Sequence, residues 1–122
     1  MQVKALSWMG VKTDQFDELT RFFREVLNLS VLSEERDFVV FELPNKDQVE
    51  VFGPNGPNQY FMLDTPVCGF LIDDIEQARK ELIEAGIELV GPLLQMPNGY
   101  AWQHFRGPNG TLYEVTYDPE RS

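Results

Sequence analysis

An α+β domain built from two tandem βαβββ units, with a curled mixed sheet around a cleft and the helices on its outer face, is the fold class that the sequence predicts. Three observations carry it. The order strand, helix, three strands occurs twice; Asp14 and Asp74, sixty positions apart, each precede a run of helical spacing; and each half closes on a glutamate between apolar neighbours, Val49-Glu50-Val51 and Tyr113-Glu114-Val115.

The first half begins with a β-prone run from Val3 through Ala5, Leu6, Trp8, Met9 and Val11. Asp14 then reads as a helix N-cap, followed by Phe16, Leu19, Phe22, Phe23, Val26 and Leu27 at helical spacing. Asn28 suits the left-handed residue that ends a helix, and short strands are predicted over Leu29–Leu32, Phe38–Leu43 and Gln48–Phe52. The second half repeats the order: a strand over Val67–Ile72, Asp74 as cap with Gln77 at the capping-box position, and an apolar helix face of Ile75, Ala78, Leu82 and Ile83 stopped by Gly86. Strands follow over Ile87–Val90, Tyr100–Phe105 and Thr111–Tyr117. Gly53-Pro54-Asn55-Gly56-Pro57-Asn58 has the residues that fix turns and forbid regular structure, so the expected division is a unit over 3–53, a hinge over 53–66 and a unit over 67–118, all in one domain. Gly107-Pro108-Asn109-Gly110 instead reads as the hairpin turn into the last strand.

Composition narrows the partners. A chain of 122 residues is long enough to bury a core without a staple, and its formal charge of −10 repels phosphate backbones and anionic lipid. Nucleic acid and membrane are therefore not expected, and a cationic or aromatic small molecule is the easier ligand. Cys68 stands alone in an apolar run, and Met1–Ser7 lacks the apolar stretch of a signal peptide, which makes the cytoplasm the expected compartment. The acidic pair Glu34-Glu35 reads as a solvated loop, and Glu76, Arg79, Lys80, Glu81 and Glu84 as the wet face of the second helix.

The junction Val11-Lys12-Thr13-Asp14, the later Arg21-Phe22-Phe23 and Leu27-Asn28-Leu29, and the ending Phe105-Arg106-Gly107-Pro108-Asn109-Gly110-Thr111-Leu112-Tyr113-Glu114 resemble the vicinal oxygen chelate superfamily. That group contains glyoxalase I, bleomycin-resistance proteins, extradiol dioxygenases and fosfomycin-resistance enzymes. The resemblance covers nearly the whole chain and speaks for the fold more than for one activity, because this scaffold hosts unrelated functions.

Metal-dependent members place ligands on the first and last strand of each half. Counted back from Asp14 and Asp74, the resemblance puts Ser7 and Val67 at the first-strand positions and Glu50 and Glu114 at the last-strand ones. Valine has no donor atom and a serine hydroxyl is a weak one, so the implied site is half empty; no cofactor is expected, with two carboxylates left for a hard divalent cation. If both glutamates face one pocket, strand alternation adds Gln48, Phe52, Leu112 and Thr116. It also adds Ser7, Met9 and Val11 with Val67, Gly69 and Leu71, and it leaves Trp8, Cys68, Phe70 and Ile72 under the helices. In the neighbouring strand Trp102, His104 and Arg106 are expected in the pocket and Phe105 in the core, with a one-residue slip inverting the set.

His104, the single histidine, has two readings: a displaced ligand or general base, or, with Arg106, a counter-charge for Glu50 and Glu114. Trp102, Tyr100 and Phe52 suit stacking on a flat ligand as well as plain packing. The candidate set is thus Glu114 and His104 as catalytic groups, Ser7, Met9, Gln48, Phe52, Tyr100, Trp102 and Arg106 as ligand contacts, and Glu50 with Glu114 as metal ligands. Two functions follow from the resemblance: a metal-free binding protein of the bleomycin-resistance type, or a lyase or isomerase like glyoxalase I in which Glu114 is the base and Glu50 holds a metal. A twofold homodimer is the assembly the resemblance implies.

Overall fold

A computed structural model describes residues 1–57 and 66–121. Among these, the first repeat comprises β1 (Ala5–Lys12), α1 (Phe16–Arg21) continued by a π-helical turn (Phe22–Val26), β2 (Ser30–Glu35), β3 (Phe38–Glu42) and β4 (Gln48–Phe52). The second comprises β5 (Val67–Leu71), α2 (Ile75–Glu84), β6 (Glu88–Gln95), β7 (Ala101–Arg106) and β8 (Leu112–Tyr117). The predicted class and the duplicated βαβββ order are both present. The chain forms two compact units, Trp8–Val67 and Met1–Ser7 with Cys68–Ser122, so the division runs through β1. Of the hinge expected over 53–66, residues 58–65 lie outside those described; Gly53 N donates to Asp37 O and Gly56 N to Gly53 O, which makes a turn after β4.

In the unit Trp8–Val67 the strand order is β2-β3-β4-β1, with β1 and β4 parallel and the other pairs antiparallel. Val39, Phe41 and Val51 are fully buried against Phe16, Leu19 and Phe23. Burying a side chain of that size stabilises by about 1.5–3 kcal/mol, which is what holds so short a helix to the sheet. Two expectations change here. The N-cap is Gln15, one residue after Asp14, and the Thr13 hydroxyl accepts from Gln15 N at 2.9 Å. The helix also widens into a π turn, with Leu27 N donating to Phe22 O; the wider turn breaks the 3.6-residue period, and Phe22, Val26 and Leu27 are exposed. Asn28 ends it at φ +57°, as expected. Glu34 and Glu35 lie within β2, an exposed edge strand, and not in a loop: pairing with β3 satisfies one backbone edge while both side chains stay wet.

In the other unit the order is β5-β8-β7-β6, with β5 and β8 parallel. Asp74 caps α2, its Oδ1 accepting from Gln77 N at 3.0 Å, and Gly86 follows the helix at φ +80°. Ile75, Ala78 and Leu82 pack on Ile72, Ala101, Phe105 and Val115, while Ile83, expected on that face, is exposed because it falls beside Leu82 and off the stripe. Arg79 is not on the wet face: its Nε donates to Gln103 Oε1 at 2.9 Å. β6 extends past Val90, where the sequence suggests a stop at Gly91-Pro92. An irregularity between Val90 and Leu94 absorbs that pair, with Gly91 at φ +70° and the buried Gln103 amide donating to the carbonyls of Val90 and Gly91.

Candidate functional site

Each half builds its carboxylate the same way. In the unit Trp8–Val67, Glu50 pairs with Gly10 on one side and Val40 on the other. In the other unit, Glu114 pairs with Gly69 and His104. Partners in register share a face, so each glutamate stands beside a glycine of the first strand of its repeat. Both glycines lie five positions ahead of the helix cap, Gln15 or Asp74.

This corrects the expected first-strand residues. Counting from Asp14 selects Ser7, Met9 and Val11; counting from the observed cap selects Trp8, Gly10 and Lys12. The register agrees with the second count: Trp8 pairs with Gln48, Gly10 with Glu50 and Lys12 with Phe52, whereas Met9 and Val11 pair with Val49 and Val51 of the helix-side core. Met9 and Val11 are thus off the Glu50 face, and Trp8 is on it and not under the helix. The Trp8 indole covers Gly10: a Cβ built there would collide with the ring carbon Cη2 and come within 2.6 Å of Cζ2. Gln48 and Phe52 do share the face of Glu50, and the Phe52 ring stacks on Phe38 at 4.9 Å between centroids.

Around Glu114 the alternation gives the expected neighbours. Trp102, His104 and Arg106 pair with Thr116, Glu114 and Leu112, while Ala101 and Phe105 belong to the core under α2. His104 Nε2 lies 3.0 Å from Glu114 Oε2, and both side chains are buried. Burial pushes the Glu114 carboxyl above the usual carboxylate range, and the imidazole opposes that shift by hydrogen bonding and charge. Ser7 is buried, with its Oγ 2.8 Å from Thr116 Oγ1. Arg106 donates from Nη1 to Gly110 O at 3.0 Å, within its own hairpin, and Tyr100 sits beside Trp102 with ring centroids 5.8 Å apart. An open groove of about 410 Å³ lies elsewhere, between the end of β1 and α1, lined by Lys12, Glu18 and Phe22 among others.

The family model for the Glyoxalase/Bleomycin resistance protein/Dioxygenase superfamily matches residues 5–115. The chain belongs to this superfamily. Among solved structures it is similar to a Mn(II)-bound glyoxalase from Novosphingobium aromaticivorans (TM-score 0.75, 20% identity, 95% of this chain and 39% of that one). It is also similar to methylmalonyl-CoA epimerase from Mycobacterium tuberculosis (0.73, 17%, 98% and 91%). A third is a superfamily member from Vibrio splendidus (0.67, 19%, 90% and 96%). At these identities the likeness is one of fold. No curated protein matches in sequence.

A divalent ion of the glyoxalase kind asks for donors on the first strands as well as the last. Here the positions two residues before Gly10 and Gly69 hold Trp8 and Val67. An indole presents only an N–H donor and valine presents nothing, so these residues do not fit a complete ligand set. Among the described residues no three His, Cys, Asp or Glu side chains gather as a metal-holding group. Sequence reasoning missed Trp8 and the Gln103–Arg79 link. Thr13, which can accept from the backbone two residues on, was the signal that the first helix starts one residue late.

Proposed function

We propose that this chain is a small-molecule-binding protein of the glyoxalase/bleomycin-resistance type that works without the complete metal site of its metal-dependent relatives, and that it takes a cationic or aromatic ligand. One observation carries the reading: Trp8 and Val67 occupy the first-strand positions of the two glutamate faces and neither offers an electron pair to a metal. The charge of −10 favours a cation over an anion. Metal analysis of the purified protein, followed by a thermal-shift screen against divalent ions and small organic compounds, tests it. The expected result is no stoichiometric metal, no stabilisation by manganese, magnesium, zinc or nickel, and stabilisation by organic ligands. A stoichiometric ion whose removal lowers the melting temperature overturns it.

The Glu114–His104 pair favours a second reading, a lyase or isomerase in which Glu114 moves a substrate proton. A carboxyl held above its usual range by burial and 3.0 Å from an imidazole is suited to holding and passing on a proton. Solvent deuterium exchange into candidate carbon acids, lost in E114Q and retained after chelation, supports it; no exchange with any of them sinks it. A twofold dimer and a cytoplasmic location complete the proposal, and light scattering and cell fractionation check them.

A further inference from the structure

We infer that the outer flank of the unit Trp8–Val67, formed by the π turn after α1 and by β2, is the surface on which a second copy of this chain docks about a twofold axis. This gives the dimer proposed above its contact surface and rests on that reading. Between Arg21 and Arg36 only Phe23 and Leu29 turn inward, and every other residue is exposed. Phe22 is 44% exposed, Val26 63%, Leu27 50%, Val31 41% and Leu32 52%; half of the large apolar side chains left in water among the described residues thus fall in this one short stretch. Single exposed apolar residues are ordinary, whereas a group of them rimmed by charge marks a contact surface.

Local geometry makes the group one surface. The π turn takes Phe22, Val26 and Leu27 out of the period that faces the sheet, and turns of this kind recur at functional sites. Val31 follows shortly after Leu27, and because it pairs with the core residue Phe41 it stands on the helix side of β2. β2 is last in the strand order and buries none of its residues, so its valine and leucine keep their apolar area for a partner. Charge selects that partner. The chain carries −10, yet between Arg21 and Arg36 the arginines Arg21, Arg24 and Arg36 balance Glu25, Glu34 and Glu35. A basic protein would settle on the acidic remainder and an acidic one would be repelled by it, whereas two copies of this chain repel least where both faces are neutral. Arg24 Nη2 lies 3.2 Å from Glu34 Oε2, with the two side chains 43% and 57% exposed. The patch therefore holds both signs and is its own complement about a twofold, where Arg24 of each copy can turn to Glu34 of the other. The irregularity between Val31 and Ser33 and the adjacent glutamates blunt the free edge, which favours a closed pair over continued growth of the sheet.

Sedimentation equilibrium of the full chain, from low micromolar to submillimolar concentration, tests the surface. V26E and L32E each place a carboxylate in the patch, and I83E places one on α2 at a side chain that is 59% exposed. The native chain and I83E are expected to dimerise alike. V26E and L32E are each expected to keep the native circular dichroism and to weaken the dimer about a hundredfold, roughly tenfold for each of the two copies of the side chain that the contact buries. R24E is expected to weaken it as well, and the double reversal R24E/E34R to restore it; if a glutamate variant fails to fold, this reversal of exposed charges decides. A native chain that stays monomeric throughout the range overturns the twofold dimer and this surface with it. A native dimer that folded V26E and L32E leave intact, that I83E weakens equally, or that R24E does not weaken defeats this surface alone and leaves the dimer standing. Species that grow beyond two copies with concentration overturn the closed pair.

Discussion

Replacing Gly10 by alanine tests the seat of Trp8 with one added carbon. The backbone at Gly10 is not in the left-handed region, so alanine brings no backbone strain of its own and gains about 0.5–1 kcal/mol by restricting the unfolded chain. Against this, the new Cβ would lie 2.6 Å from Cζ2 and 3.1 Å from Cζ3 of the Trp8 indole, where carbon atoms rest at about 3.5–4.0 Å. The ring has to move by roughly 1 Å, and Trp8 is only 6% exposed, so it moves against packed neighbours. Overpacking of this kind costs about 1–3 kcal/mol, which against the entropic gain leaves a net loss of up to about 2.5 kcal/mol. For a chain of this length that is a fall in melting temperature of up to about 10 °C. Urea unfolding gives the free energy, and Trp8 emission in a W102F background, where Trp8 is the remaining tryptophan, reports the ring. The deciding measurement is the cycle with W8L: with the indole gone, G10A is expected to be neutral or mildly stabilising. A G10A cost that persists unchanged in the W8L protein refutes the account of Gly10 as a notch for the indole.

Gln103 to Leu removes an amide that donates to Val90 O, Gly91 O and His104 O and accepts from Arg79, so a loss of about 2–4 kcal/mol in urea unfolding is expected; a loss below about 0.5 kcal/mol would mean these bonds are replaced by water. Asp74 to Ala is expected to cost about 1 kcal/mol while Asp14 to Ala stays within about 0.5 kcal/mol, because Asp74 accepts from Gln77 N and Asp14 is not the cap of α1; equal losses would restore Asp14 as a cap. Glu114 to Gln changes the pH dependence of stability. With its folded-state pKa raised, Glu114 contributes stability that is full below the ordinary carboxylate value of 4.5 and is lost as pH rises through the raised value. The stability of E114Q relative to the native protein should therefore climb with pH from about 4.5 and then level, and a flat difference would show that burial does not hold the proton on Glu114.

The repeat was legible because it is written in hydrophobic period and in punctuation: Asn28, Gly86 and Asp74 sit where the structure needs a left-handed residue or a cap. The face of Trp102, His104 and Arg106 was legible for the same reason, since the turn at Gly107–Gly110 fixes the hairpin register, with Gly107 N donating to Thr111 O. The face of β1 was not. Two candidate caps stand side by side at Asp14 and Gln15, and the choice turns on a hydroxyl bond from Thr13 that no periodicity reports. A one-residue error there moves Met9 and Val11 onto the wrong side of the Glu50 ladder and hides Trp8. The π turn and the irregularity in β6 were hidden likewise, because both are insertions into a regular ladder that only backbone geometry reveals.

The two glutamates then differ through the residue on their third strand. Glu50 faces Val40 and Glu114 faces His104, at the same place in each repeat. Glu50 is half-buried and keeps access to water; Glu114 is taken almost wholly out of water, where burial raises its pKa and the His104 imidazole stands 3.0 Å away. One position in a duplicated scaffold has thus acquired two chemistries. The imidazole stands against Glu114 in a buried pair, while Glu50 stands beside a glycine whose place on the face the Trp8 indole covers. Valine against histidine beside the glutamates, with tryptophan against valine ahead of the glycines, shows that the halves have parted in chemistry while keeping the same register.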